Sequence, residues 1–257
     1  MKRKIISLLV IFAIGYISYQ LYQAYSRVDV YYEQGLKSIN AEAASIKRWV
    51  LSGKAGTAEA ASDLTGFTTK WNFIWMSNDE FSNYVAQVVG VRTHTPQQCR
   101  DRIQLGVEEC CSDIFQLELD FVENLGKDLE LDEDQKQKLL RSIEELPSDV
   151  KPEIVQSIVE ETLSMITGAV IESALVDAGI LSASSAFAPE TIGISVAIGV
   201  TIDLIISWCM DTEGSIKEKL DSSIDDLATK YEKAFKEQMT EKLNERRWQW
   251  VKAIIFE

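Results

Sequence analysis

The chain has 257 residues and a formal net charge of −14. This length is enough for one large or two small domains with a packed core. An acidic chain lacks the positive face that phosphate contacts require, so we expect no nucleic-acid partner. Hydrophobic residues make up 46% of the sequence. They concentrate in two runs, which is typical of a protein that is partly in a membrane.

The first apolar run predicts a membrane anchor. Three cations in the motif MKRK precede the uncharged residues 5–21, which have about the length of a transmembrane helix. The far end carries an aromatic belt of Tyr16, Tyr19, Tyr22 and Tyr25. Because the exit lacks the small residues of a signal-peptidase site, we predict a retained signal-anchor over residues 1–26. A cleaved signal and a buried soluble helix are the alternatives. The positive-inside bias places the bulk of the chain on the extracytoplasmic side, most simply of a bacterial inner membrane.

Apolar residues at helical spacing continue after the anchor. They predict a helical stalk over residues 27–52, with a seam for a partner helix formed by Tyr32, Leu36, Ile39, Ala43, Ile46 and Val50. The segment LSGKAGTAEAASDLTGF, residues 51–67, contains three glycines and many small residues. It predicts a loop or joint.

An acidic helical domain is predicted over residues 53–163. Between Glu108 and Glu161, seventeen acidic residues face five basic ones, which favours a solvated helical face. A docking surface for a basic partner and a loose cation-binding surface are the alternatives. Helix starts are predicted at Ser77, from a capping box with Glu80, and at Thr95. The acids after Gly126 lack the pattern of a calcium loop, so we predict no metal and no cofactor.

Cysteines Cys99, Cys110 and Cys111 are candidates for disulfide bonds in an oxidising compartment. In one unbroken helix, the first two would lie roughly 16 Å apart, which is far beyond the limit of about 7 Å between Cα atoms of a disulfide. Either the helix breaks near Gly106, or these residues pair elsewhere, or they remain thiols. A zinc site is a weaker alternative, because the only histidine, His94, has no suitably spaced cysteine pair.

The second apolar run, residues 164–210, predicts a helical hairpin. In its second arm nine Ile, Leu or Val residues favour membrane insertion by about 3–5 kcal/mol, whereas Asp203 costs up to about 3 kcal/mol. Glu172 and Asp177 lie in the first arm and make its insertion into a membrane less favourable. All three carboxylates are therefore candidate intramembrane or buried polar groups. A membrane hairpin, a buried core hairpin and a switchable element all stay open.

The last segment, residues 211–257, predicts a long amphipathic helix. Its apolar stripe comprises Ile216, Leu220, Ile224, Leu227, Tyr231, Phe235, Met239, Leu243, Val251 and Ile254. No comparable strand pattern occurs in the sequence, so the predicted fold class is all-α.

No standard set of catalytic residues can be recognised in the sequence, since it has one histidine and no G-x-S-x-G, phosphate-loop or H-E-x-x-H motif. We therefore predict a non-catalytic, membrane-anchored helical scaffold or accessory subunit of a cell-envelope complex. We expect it to contact lipid and to bind proteins through its helical seams, and a homo-oligomer is one such arrangement. The alternative is a pore-forming or ion-conducting protein that uses residues 164–210. Their apolar hairpin among charged helices resembles that of pore-forming bacteriocins, although the N-terminal anchor departs from that arrangement.

Overall fold

The computed structural model describes residues 2–66, 68–69, 72, 75–128, 132–142, 152–178 and 213–256. The elements are α1 (Lys2–Ser52), a 3-10 helix (Gly53–Gly56), α2 (Thr57–Thr65), α3 (Asn78–Arg92), α4 (Pro96–Asp128), α5 (Glu133–Ser142), α6 (Pro152–Ala178) and α7 (Glu213–Phe256). No strand occurs among these described residues. The all-α prediction is confirmed.

The chain divides into two compact units, each built from separate stretches of sequence. Unit 1 comprises Met1–Asn40, Glu109–Lys151 and Met239–Glu257, and unit 2 comprises Ala41–Glu108 and Pro152–Gln238. Helices α1, α4 and α7 each contribute residues to both units. The division of the chain into consecutive segments, which was made from the sequence, stays a prediction.

The predicted stalk seam lies within α1, which is one continuous helix. Ile39, Ala43, Ile46 and Val50 are buried, as a seam requires. The chain covers this seam itself. In unit 1, a Cβ atom added at Gly35 would lie 2.9 Å from the methyl carbons of Leu243, so the absence of a side chain lets α1 and α7 approach closely. The seam therefore needs no helix from another protein to bury it.

The two predicted membrane elements gain no support. Within the part of the chain that the structure describes, no helix combines the length and apolar character needed to cross a membrane. The side chains of residues 1–14, which carry most of the apolar run of the predicted anchor, lie outside the described residues. So do residues 179–212, which include the second arm of the predicted hairpin.

The loop predicted over residues 51–67 is wrong, because these residues are mostly helical. The 3-10 helix and α2 occupy the segment, and α2 buries Ala60, Ala61 and Leu64. The Thr57 hydroxyl donates a hydrogen bond to Asp221 of α7 (2.7 Å). Small residues that resemble a joint in the sequence serve here as the packing face of a short helix.

Both predicted helix starts are confirmed. Ser77 and Glu80 form a reciprocal capping box, in which the Ser77 amide donates to the Glu80 carboxylate (2.9 Å). At the start of α4, the Thr95 amide donates to the Gln98 side chain (2.8 Å), and the Gln98 amide donates to the Thr95 hydroxyl (3.3 Å). These bonds satisfy amide groups that have no partner inside the helix.

A glycine at the end of the 3-10 helix gives the first testable prediction. A Cβ atom at Gly56 would lie 1.6 Å from the carbonyl oxygen of Arg92, so Gly56→Ala must displace backbone. We expect the free energy of unfolding to fall by about 1–3 kcal/mol or more. At Gly90, inside α3, the nearest atom to an added Cβ is 4.0 Å away, so Gly90→Ala should stabilise by up to about 1 kcal/mol. Denaturant unfolding of the two variants in detergent measures both values, and equal effects would contradict the packing described here.

Candidate functional site

A buried carboxylate organises unit 1. Glu118, in the middle of α4, is 1% exposed. Its Oε1 atom accepts hydrogen bonds from the Tyr31 hydroxyl (3.0 Å), the Trp250 indole nitrogen (3.1 Å) and Arg246 Nε (2.9 Å). Its Oε2 atom accepts from Arg246 Nη2 (2.7 Å). We call Tyr31, Glu118, Arg246 and Trp250 the Glu118 cluster; it joins α1, α4 and α7 within unit 1.

The Glu118 cluster satisfies a charge that would otherwise be costly to bury. Arg246 binds the carboxylate through two nitrogens, the strongest geometry for such a pair. Phe121 packs its ring edge-on to Trp250, with centroids 5.1 Å apart, and Trp250 and Glu118 are both buried. Burial, together with the nearby Glu118 carboxylate, raises the pKa of the Tyr31 hydroxyl well above its ordinary value. Tyr31 is therefore a neutral donor at every physiological pH.

Sequence reasoning missed this cluster, because it counted Glu118 among the acids of a solvated face. Glu108, Glu109 and Asp120 are indeed exposed. Glu118 instead occupies a position in the buried stripe of α4, between Ile114 and Val122. An acid within an apolar stripe was the available signal, since a buried carboxylate requires a partner.

An open groove lies beside the cluster, between α1 and α4 of unit 1. It has a volume of about 310 Å³ and is lined by Ser26, Arg27, Val30, Tyr31, Gln34, Leu117, Asp120, Phe121, Asn124 and Leu125. Apolar side chains form much of the lining, and Arg27 and Asp120 contribute charge. We call it the α1–α4 groove. Its chemistry suits an apolar side chain from a partner, with polar contacts around it.

A second polar site lies in unit 2, around His94 in the link between α3 and α4. The imidazole stacks on the Trp49 ring with centroids 3.9 Å apart. Its Nε2 atom lies 2.9 Å from the Trp49 carbonyl oxygen and 3.3 Å from the Ser52 hydroxyl. Burial lowers the pKa of His94, and the bond to the Trp49 carbonyl partly offsets that effect. His94 thus holds the end of α1 as a neutral ring.

The cysteines lie on a helix that does not break. Because α4 continues through Gly106, Cys99 and Cys110 are roughly 16 Å apart and cannot bond to each other. Both are buried, and Cys111 is half-buried. Cys99 hydrogen-bonds to Tyr231, whose pKa is raised, chiefly by burial. The suggested helix break is wrong, and a disulfide with another residue stays a prediction.

The other predicted site residues cannot be placed in a site. The side chains of Glu172 and Asp177, and all of Asp203, lie outside the described residues. In the portion of the chain with described positions, no group of three or more His, Cys, Asp or Glu side chains could hold a metal ion.

The fold and the two polar sites define an all-helical protein with a buried ion-pair cluster beside an open groove. No protein-family model, curated protein or solved structure matches the chain.

The Glu118 cluster gives the second prediction. Glu118→Ala leaves Arg246 without its buried counter-charge, so we expect the free energy of unfolding to fall by about 3–5 kcal/mol. Glu109→Ala is the matched control, because Glu109 is an exposed acid on the same helix, and its effect should stay within about 0.5 kcal/mol. Denaturant unfolding measures both. A Glu118 variant as stable as the control would show that the cluster does not stabilise unit 1.

The third prediction concerns pH. Because the pKa of His94 is lower in the folded chain than the ordinary value of about 6.5, the unfolded chain binds the proton more readily. The contribution of neutral His94 to stability is therefore complete above that value, and it is lost as the pH falls toward the lower folded pKa. His94→Gln should remove this part of the pH dependence. Comparing the unfolding free energies of both proteins at pH 7.5 and pH 5.5 tests this, and identical pH dependence in the two would contradict it.

Proposed function

We propose that the chain is a non-catalytic helical scaffold, held at a membrane by its N-terminal segment, and an accessory subunit of a cell-envelope complex. The observation that carries the proposal is the α1–α4 groove, an open and largely apolar surface beside the Glu118 cluster. A groove supported by a buried ion pair is a pre-formed site for another protein, because little chain ordering is needed on binding.

The buried seams favour the groove as the partner surface. The apolar stripes of α1 and α7 are buried within the chain, so they are not available for another helix. In the groove, by contrast, Val30 is 63% exposed. A partner helix that inserts one apolar side chain between Val30 and Phe121 fits this surface, in the manner of helix-in-groove recognition.

The proposed membrane attachment rests on the sequence of the first turns of α1, because no helix among the described residues is long and apolar enough to cross a membrane. The uncharged residues 5–21 lead without interruption into the packed part of the helix, in which Ala24 is the first buried residue among those described. Tyr16, Tyr19 and Tyr22 are exposed just before it. Exposed tyrosines at the end of an apolar helix are typical of a membrane interface. In this proposal the packed part of the chain lies on the extracytoplasmic side.

The fourth prediction tests the groove with a matched pair of exposed valines. Val30→Glu places a charge in the groove, and Val91→Glu places the same charge on α3 of unit 2, where Val91 is 67% exposed. The protein is cross-linked in native membranes and then affinity-purified. We expect the Val30→Glu variant to recover at least tenfold less partner protein than the natural chain, which is equivalent to about 1.4 kcal/mol. Val91→Glu should retain it.

Two results would contradict the proposal. The first is equal partner recovery by both valine variants. The second is leakage of liposomes caused by the purified protein alone, which would favour the alternative of a pore-forming protein. Carbonate washing of the membranes tests the attachment separately, because an anchored protein stays in the pellet.

A further inference from the structure

Aromatic and basic side chains gather in unit 1 where α1 and α7 lie side by side. The rings of Tyr25 and Trp248 have centroids 6.2 Å apart. The Arg247 guanidinium lies 4.6 Å from the centroid of the Tyr32 ring and also pairs with Asp29. The Lys252 ammonium lies 5.7 Å from the Trp248 centroid. Cation–π contacts therefore order this end of α7.

The two helices run antiparallel here, which fixes what lies beyond these contacts. Leu243 lies against Gly35, Arg247 against Asp29, and Trp248 against Tyr25. Since both helices advance about 1.5 Å per residue, the following turns of α7, from Lys252 to Ile255, come level with residues 20–24 of α1. These α1 residues lie at the end of the apolar run of the proposed anchor.

Exposed side chains lie on these level turns and next to them. Trp248 is 49% exposed, and Tyr19, Tyr22 and Lys252 are exposed as well. We call these four residues the interfacial patch. Each combines an apolar body with a polar or charged tip, which is the chemistry that the boundary between lipid chains and water favours. The tyrosines Tyr16 to Tyr22 span about 9 Å of α1, similar to a headgroup layer of roughly 5–8 Å.

We propose that the interfacial patch rests in the headgroup layer of the bilayer that α1 enters, so that the end of α7 forms a second membrane contact. The inference rests on the proposed attachment through α1. Continuity with that segment identifies the occupant as a lipid surface rather than a protein. Trp248 and Tyr22 then insert their rings at the interface, while Lys252 reaches the lipid phosphates. The contact fixes the direction in which unit 1 leaves the membrane.

Tryptophan fluorescence of the full-length protein in phosphatidylcholine–phosphatidylglycerol vesicles tests the proposal. Subtracting the emission of Trp248→Phe from that of the natural protein isolates the signal of Trp248, and lipids brominated near the headgroup should quench this signal at least twofold. Trp75→Phe is the matched control, because Trp75 is 71% exposed in unit 2. The signal isolated with it should be quenched by aqueous iodide and not by the brominated lipids. Trp248→Tyr should isolate the same Trp248 signal as the Phe variant, which guards against a folding defect.

The outcomes distinguish this inference from the proposed function. If the protein survives carbonate washing and brominated lipid leaves the Trp248 signal unchanged, the interfacial patch is wrong and the anchor stands. If vesicles shield Trp248 from iodide without quenching by brominated lipid, a second copy or another protein covers it, which also overturns the inference. If carbonate releases the protein, the proposed attachment fails and the inference fails with it.

Discussion

The buried pairing of Glu118 with Arg246 is the interaction on which the rest of unit 1 depends. A carboxylate in an apolar stripe is costly unless its charge and both oxygens are satisfied. Arg246, Trp250 and Tyr31 supply four hydrogen bonds to it. Hydrogen bonds require specific distances and directions, whereas apolar contacts tolerate sliding. The cluster therefore fixes the register of three long helices whose apolar stripes alone would permit several.

That register determines the surfaces available for function. It leaves the α1–α4 groove open beside Tyr31 and Phe121, and it sets Trp248 against Tyr25. In our proposals the first surface meets a protein and the second meets lipid. One buried carboxylate thus aligns both. A scaffold benefits from such rigidity, because a partner then binds without first ordering the surface.

The sequence predicted the helices better than their associations. Periodic apolar residues located α7 and its buried stripe, and side-chain caps located the starts of α3 and α4, because both signals are local. The helical residues 53–65 were misassigned, since glycine and alanine occur both in loops and in tight packing. The Glu118 cluster joins residues that are 87 and 128 positions apart. Such pairing depends on the three-dimensional register, which local patterns do not contain. The acid in the stripe of α4 signals that a partner exists, but not which residue it is.

The discontinuous make-up of unit 1 has a consequence for biosynthesis. A chain emerges from the ribosome N-terminus first, at roughly 5–20 residues per second. Tyr31 and Glu118 therefore leave the ribosome well before Arg246 and Trp250, and the carboxylate must stay hydrated in the meantime. Unit 1 cannot close until α7 has been made, so its central apolar face is exposed during most of synthesis. Transiently exposed apolar surface favours aggregation, so the chain is most prone to aggregate in that interval, however stable its finished fold.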